Sequence, residues 1–285
     1  MEIQPTQNLE NLVPVESFKP SILLQFTRHS EKEKSPMGDS FSNDKDQKVQ
    51  LTEAGIQLAV EAGKSKIPFI QDLGMIISWK DRSLHTAILH AYNQIGETSL
   101  EGLKNLLIGR YGRKYLVDQK LSLDSLPGSF LFGPKKINLK SWFLESDRLA
   151  KEAEDEFTTT YSKASMNIAK IVQKYIKVLS SWENIVESKK DIDNSYSQYQ
   201  NQMQRFLGTH GLVAESFLMA LIQNKNGNEA VISWISYLPS QDQFGINEGY
   251  SVKIFRDNRG KIIININCNN QEFIFTKEDV DRIVK

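Results

Sequence analysis

The chain has 285 residues, 40% of them hydrophobic, which is enough to bury a sizeable core; a single α/β domain spanning 1–285 is expected. Lys plus Arg and Asp plus Glu number 35 each, so no overall field favours DNA, RNA or an anionic membrane, and any anion site has to be local. The lone Cys268 excludes an intramolecular disulfide, and its place in the apolar run Ile262 to Cys268 suits a buried thiol in a reducing compartment.

Residues 1–20 read as a polar leader broken by Pro5, Pro14 and Pro20, without the basic start and apolar stretch of a signal peptide. No later run is long enough to span a bilayer, so a cytoplasmic protein is expected. Ile22 to Phe26 is a short apolar run, read as a buried strand, and the charged stretch Ser30 to Lys48, with Pro36 and Gly38, is a loop. A helix opens at Leu51-Thr52-Glu53 with Thr52 as its N-cap and Ile56, Leu58, Ala59, Val60 and Ala62 for its buried face. Leu73 to Ile77 is a second buried strand and Ser83 to Ile95 a second helix, with Leu84, Ala87, Ile88 and Ala91 on one face. Strand, helix, strand, helix implies a parallel core sheet between two helical layers, a three-layer α/β/α fold.

Gly96 to Phe143 is mixed and yields no clear element. From Ser146 to Gln204 the composition turns polar, with a helix near Ala164 to Trp182 carrying the stripe Ile168, Ile171, Val172, Tyr175, Ile176 and Leu179. The region of about 96–204 is read as a helical cap insertion. Arg205 to Thr209 is a third strand, followed by an apolar helix from Leu212 to Ile222. The tail alternates, Tyr250, Val252 and Ile254 against Ser251, Lys253 and Phe255, then turns at Asp257 to Gly260 and returns through Ile262 to Ile266 as a C-terminal β-hairpin.

Each of the three early strands ends in polar residues: Thr27-Arg28-His29, Ser78 with Arg82, and Thr209-His210-Gly211. Carboxyl ends of parallel strands share one edge, where ligands bind. Two imidazoles and two guanidiniums would converge there, and the planar donor fork of Arg matches the oxygens of a tetrahedral dianion. Phosphate is the natural ligand. Cationic neighbours keep an imidazole unprotonated, leaving a nitrogen free to attack phosphorus, while the second imidazole and the arginines stabilise charge on the transferring oxygens.

These residues resemble the motifs of the histidine phosphatase superfamily, also called phosphoglycerate-mutase-like. Arg28-His29-Ser30, followed by Glu31, is similar to the family's Arg-His-Gly element, with Ser30 in place of the glycine; Leu51-Thr52-Glu53-Ala54-Gly55 resembles its Leu-Thr-x-x-Gly helix start. Ser78-x-x-x-Arg82-x-x-x-Thr86-Ala87 has the spacing of its second arginine motif, and Thr209-His210-Gly211 resembles its second histidine motif. The resemblance implies His29 as the phosphorylated nucleophile, Arg28 and Arg82 as phosphate clamps, and His210 as the second pocket imidazole. Ser30 and Gly211 are placed beside the phosphate. The family's proton-donating carboxylate has no clean match; Asp124 is the nearest analogue and Glu101 the second choice.

The expected activity is therefore phosphomonoester hydrolysis through a phosphohistidine, on a phosphorylated small molecule or phosphoprotein, without metal or cofactor. A mutase of the same superfamily and a catalytically weak phosphate-binding relative stay as alternatives. His85 and His90 are assigned to the second helix as ordinary, partly buried residues. Lys32 belongs to a mixed-charge run read as a solvated loop, and Glu215 is read as orienting or shielding the site.

Overall fold

The computed structural model describes residues 19–33, 48–64, 74–92, 97–111, 115–121, 138–156, 158–190, 201–238 and 244–285. Its elements are β1 (Ser21–Arg28), α1 (Glu53–Lys64), β2 (Gly74–Ser78), α2 (Asp81–Ala91), α3 (Leu100–Tyr111), β3 (Tyr115–Val117), a 3-10 turn (Gln119–Leu121), α4 (Leu139–Glu152), α5 (Tyr161–Lys190), β4 (Gln202–Thr209), α6 (Val213–Asn226), α7 (Asn228–Ser236), β5 (Gly249–Arg256), β6 (Ile262–Cys268), β7 (Gln271–Thr276) and α8 (Lys277–Val284). The strands form one sheet in the order β3-β2-β4-β1-β5-β6-β7. β3, β2, β4 and β1 run parallel, and β5, β6 and β7 follow as an antiparallel meander beside β1.

Burial follows from that topology. β1 has neighbours on both edges, parallel β4 and antiparallel β5, and it buries Ser21 to Leu24 without alternation, as a central strand does. β5 alternates, burying Tyr250, Val252 and Ile254 and leaving Lys253 exposed, because its other face is solvated. Turning at Asp257 to Gly260, the chain uses Gly260 at φ 75°, with Asp257 Oδ1 accepting from Arg259 N and Lys261 N. The expected hairpin extends to a third strand and a closing helix.

One core lies between the sheet and α5, α6 and α8, built from Ile22, Leu24, Phe26, Leu207, Val252, Ile254 and Ile264 on the strands with Ile168, Val172, Phe217 and Val280 on the helices. The other, under α1, α2 and α3, joins Ile76 and Phe206 to Ala59, Ala87, Ile88 and Leu103. These are the expected three layers. The stripe expected near Ala164 to Trp182 is buried along α5, which packs on α6, α8, β1 and β5. α5 forms part of a layer of the fold, and β3 from the same 96–204 region joins the sheet. Cys268 is buried, and burial pushes its thiol up to about 12. Among the described residues no helix is long and apolar enough to cross a membrane.

Candidate active site

Strand register sets the site. Arg28 at the end of β1 stands level with Thr209 of β4, and Ser78 of β2 with Gly208, so the residues that follow leave the sheet at one edge. His29 N donates to Thr209 O at 3.0 Å as the last rung. The rings of His29 and His210 then meet edge to face, centroids 5.2 Å apart and planes at 64°.

α2 brings Arg82 to the same edge. A Cβ on Gly208 would stand 2.1 Å from the Ser83 carbonyl, so only glycine lets the first turn of α2 lie on β4. Ser83 Oγ donates to Thr209 O at 3.2 Å, pinning α2 to β4, and Ser78 Oγ of β2 donates to Gly208 O at 2.9 Å. Thr86 Oγ1, donating to Arg82 O, accepts Ser30 N at 2.9 Å. That bond explains a threonine one turn after the arginine. α1 is capped as expected, Gly55 N donating to Thr52 Oγ1 at 2.9 Å. A Cβ on Gly55 would lie 2.1 Å from the Glu31 carbonyl, which is why this position takes glycine where the loop after His29 crosses the helix start.

Arg28 is oriented from behind: its Nη1 donates to the Phe244 carbonyl. Glu215, fully buried on the first turn of α6, accepts Phe244 N on Oε1 at 2.6 Å. Burial raises its carboxyl to about 7, against the pull of the Phe244 N–H and Arg28. Between His210 and α6, Leu212 holds φ 70° and ψ −48°, a positive-φ, γ-turn-like conformation rare for a branched side chain and one that costs about 1–3 kcal/mol.

Electrostatics leave both imidazoles neutral. Burial above all, with Arg82, Arg28 and Lys32 adding to it against the Ser30 carbonyl, takes His29 down to about 3. His210 is held well below its ordinary value by burial first, then by His29, Arg82, Lys80 and Lys32. A neutral imidazole carries one proton, and His29 Nδ1 faces the Ser30 carbonyl at 2.7 Å, a group that only accepts. The proton is therefore on Nδ1 and the lone pair on Nε2.

No family model and no curated protein matches the chain. Solved structures do. Mycobacterial glucosyl-3-phosphoglycerate phosphatase is 15% identical over 82% of this chain and 89% of its own, with a TM-score of 0.39. Its complex with VO3 is 14% identical over 90% and 98%, at 0.40. Phosphoglycerate mutase from Bacillus anthracis is 15% identical over 95% and 100%, at 0.31. These are histidine phosphatase superfamily proteins. At such identities and scores the likeness carries no functional weight, and the reading of the pocket rests on its own residues.

Of the residues expected at the site, His29, His210, Arg28 and Arg82 gather at one edge, where Arg28 and Arg82 both act on His29. Gly211 follows His210 at that edge. Ser30 departs from expectation: its hydroxyl proton goes to the Gly55 carbonyl at 2.7 Å, so the side chain braces the loop instead of facing phosphate. Glu101 is exposed on the first turn of α3. Asp124 lies outside the described residues; Leu121, three positions earlier, is tied to the pocket edge by Thr209 Oγ1 at 3.0 Å. Lys32 and Lys80 act on the pocket imidazoles and were not expected there. His85 and His90 are both buried, and His90 bonds to Asn247. A cavity of about 520 Å³ beside α1 and α2, lined by Gln25, His90 and Ser251 among others, does not include His29 or His210. Among the described residues no group of three or more His, Cys, Asp or Glu side chains is placed to hold a metal ion.

Proposed function

We propose that this chain is a phosphatase that hydrolyses a phosphomonoester through a phosphohistidine on Nε2 of His29. One observation carries the reading: the Nδ1 proton bonded to Ser30 O leaves the His29 Nε2 lone pair available, in a ring that burial first and the surrounding cations second keep neutral.

The phosphoryl group of a small molecule or phosphoprotein binds among Arg28, Arg82 and His210. Nε2 attacks phosphorus, the P–N bond forms and the bond to the ester oxygen breaks, with Arg28 and Arg82 holding the equatorial oxygens as charge spreads over them. The departing alkoxide takes a proton from an acid, for which Asp124 is the candidate. Water then attacks the phosphohistidine, phosphate leaves, and Nε2 recovers its lone pair. No metal enters the scheme, since the arginines supply the positive charge.

The test compares p-nitrophenyl phosphate, whose leaving group needs little protonation, with an alkyl phosphate. His29→Ala is expected to abolish turnover of both and to remove acid-labile phosphate from the quenched protein. Asp124→Asn is expected to cost about 10²-fold or more on the alkyl ester and little on the aryl one. Full aryl turnover in His29→Ala sinks the mechanism; equal losses on both esters in Asp124→Asn remove Asp124 as the acid.

A further inference from the structure

Asn247 lies in the segment that leads into β5, and the scheme above makes no use of it. It is buried, with its backbone in the left-handed region at φ 63°, a conformation Asn tolerates better than most side chains. Its amide bridges two residues remote in sequence: Nδ2 donates to Ser30 Oγ at 3.0 Å, and Oδ1 accepts from His90 Nε2 at 3.2 Å. The neighbours dictate that orientation. Ser30 Oγ has one proton, and it goes to the Gly55 carbonyl, so the hydroxyl must accept from Asn247, which requires the NH2 group on that side. Oδ1 is left for His90, which donates from Nε2. The bonds run one way, from His90 to Asn247 to Ser30 to Gly55, so each polarises the next.

Ser30 is the point of leverage. Its carbonyl, by accepting Nδ1–H, decides which nitrogen of His29 carries the lone pair, and the direction of that carbonyl depends on what holds the residue. Three bonds do so: Thr86 on its N–H, and Gly55 and Asn247 on its hydroxyl. The same short segment also grips the strand just before His29. Asn247 O accepts Thr27 Oγ1 at 3.4 Å, and Glu248 O accepts Arg28 N at 2.8 Å. Thr27, Arg28 and Ser30, the residues flanking His29, are thus all bonded to Asn247 or Glu248.

We infer that Asn247 is the positioning residue of the nucleophile: through Ser30 it fixes the tautomer and direction of the His29 ring, and His90 fixes Asn247 in turn. This rests on His29 being the nucleophile. Asn247 touches no reacting atom, so its effect falls on the rate of P–N bond formation and not on phosphate binding.

The experiment mixes the full chain with p-nitrophenyl phosphate, quenches in alkali on the millisecond scale, and measures phospho-His29 and the ring nitrogen that carries it. Asn247→Asp keeps the size but puts an acceptor where Ser30 needs a donor. Its rate of phospho-His29 formation is expected to fall about ten- to a hundred-fold with KM little changed, and phosphate is expected on both ring nitrogens instead of Nε2 alone. In a Ser30→Ala background the same change is expected to add nothing, whereas general loosening of the fold would add its full effect. If Asn247→Asp does not fold, the chain is read from its outer end: His90→Leu slows the step, and His90→Gln, which still donates to Oδ1, recovers most of the rate. Parent-like formation of phospho-His29 on Nε2 alone in Asn247→Asp or His90→Leu overturns the inference and leaves the phosphatase reading standing. Absence of label on His29 in the parent chain overturns both.

Discussion

Burial acts on the two ends of the pocket in opposite senses, lowering His29 and raising Glu215, because in each case it disfavours the charged form. For His29 the result is a ring that stays unprotonated at any working pH. For Glu215 the result is a stability that depends on pH. Below its ordinary value of 4.5 folded and unfolded chains both hold the proton; between there and about 7 the unfolded chain releases it and the folded chain keeps it. Stability contributed by the neutral carboxyl is therefore lost as pH rises through that window, by up to about 3 kcal/mol. Urea unfolding at about pH 5 and pH 8 is expected to show the fall in the parent and to show it much reduced in Glu215→Gln, which keeps the acceptor for Phe244 N. Equal slopes in the two proteins would remove Glu215 as the source. His29, His210, Arg28 and Arg82 were legible as residue types at strand ends, since both strand and motif are local. Asn247 was not: it grips Ser30 from 217 positions away, and Gly245-Ile246-Asn247-Glu248-Gly249 reads locally as an ordinary turn.

At the scale of elements, the site depends on how closely α2 lies on β4. Gly208→Ala places a methyl 2.1 Å from the Ser83 backbone carbonyl, which a rotamer change cannot relieve, so the helix has to move outward with Arg82 on it. Overpacking of this kind costs roughly 3 kcal/mol, and vanadate binding is expected to weaken along with the thermal midpoint. A variant with lowered stability but unchanged vanadate affinity would show that Arg82 is not placed by this contact. β1, β2, β4, α1 and α2 were readable because their apolar runs are compact and bounded. α4 has a local start signal, Asn138 accepting Ser141 N at 2.7 Å, but it begins inside a stretch whose mixed pattern yields no clear element. In α3, Gly102 and Gly109 weaken the helical pattern, and packing in the core with α2 offsets this. β7 is short and is marked by pairing with β6, which a local window cannot see, whereas α8 has a local signal in the capping box of Thr276 and Asp279 and packs on α5.

Taken whole, the molecule joins a parallel half to an antiparallel one at the β1 and β5 boundary. Reversal of direction there is what carries Phe244, Asn247 and Glu248, which precede β5, to the edge that β1, β2 and β4 reach only at their ends. The Arg28 to Phe244 contact closes 216 positions of chain, and closing so long a loop is slow relative to forming helices. After dilution from urea, far-UV ellipticity is expected to recover ahead of vanadate binding; a shared rate constant for the two would contradict that order. The antiparallel start of β5 also has a meaning during synthesis. Arg28 and His29 leave the ribosome early, yet the segment that braces them is made only after more than two hundred further residues, so a growing chain carries these side chains long before it can aim them.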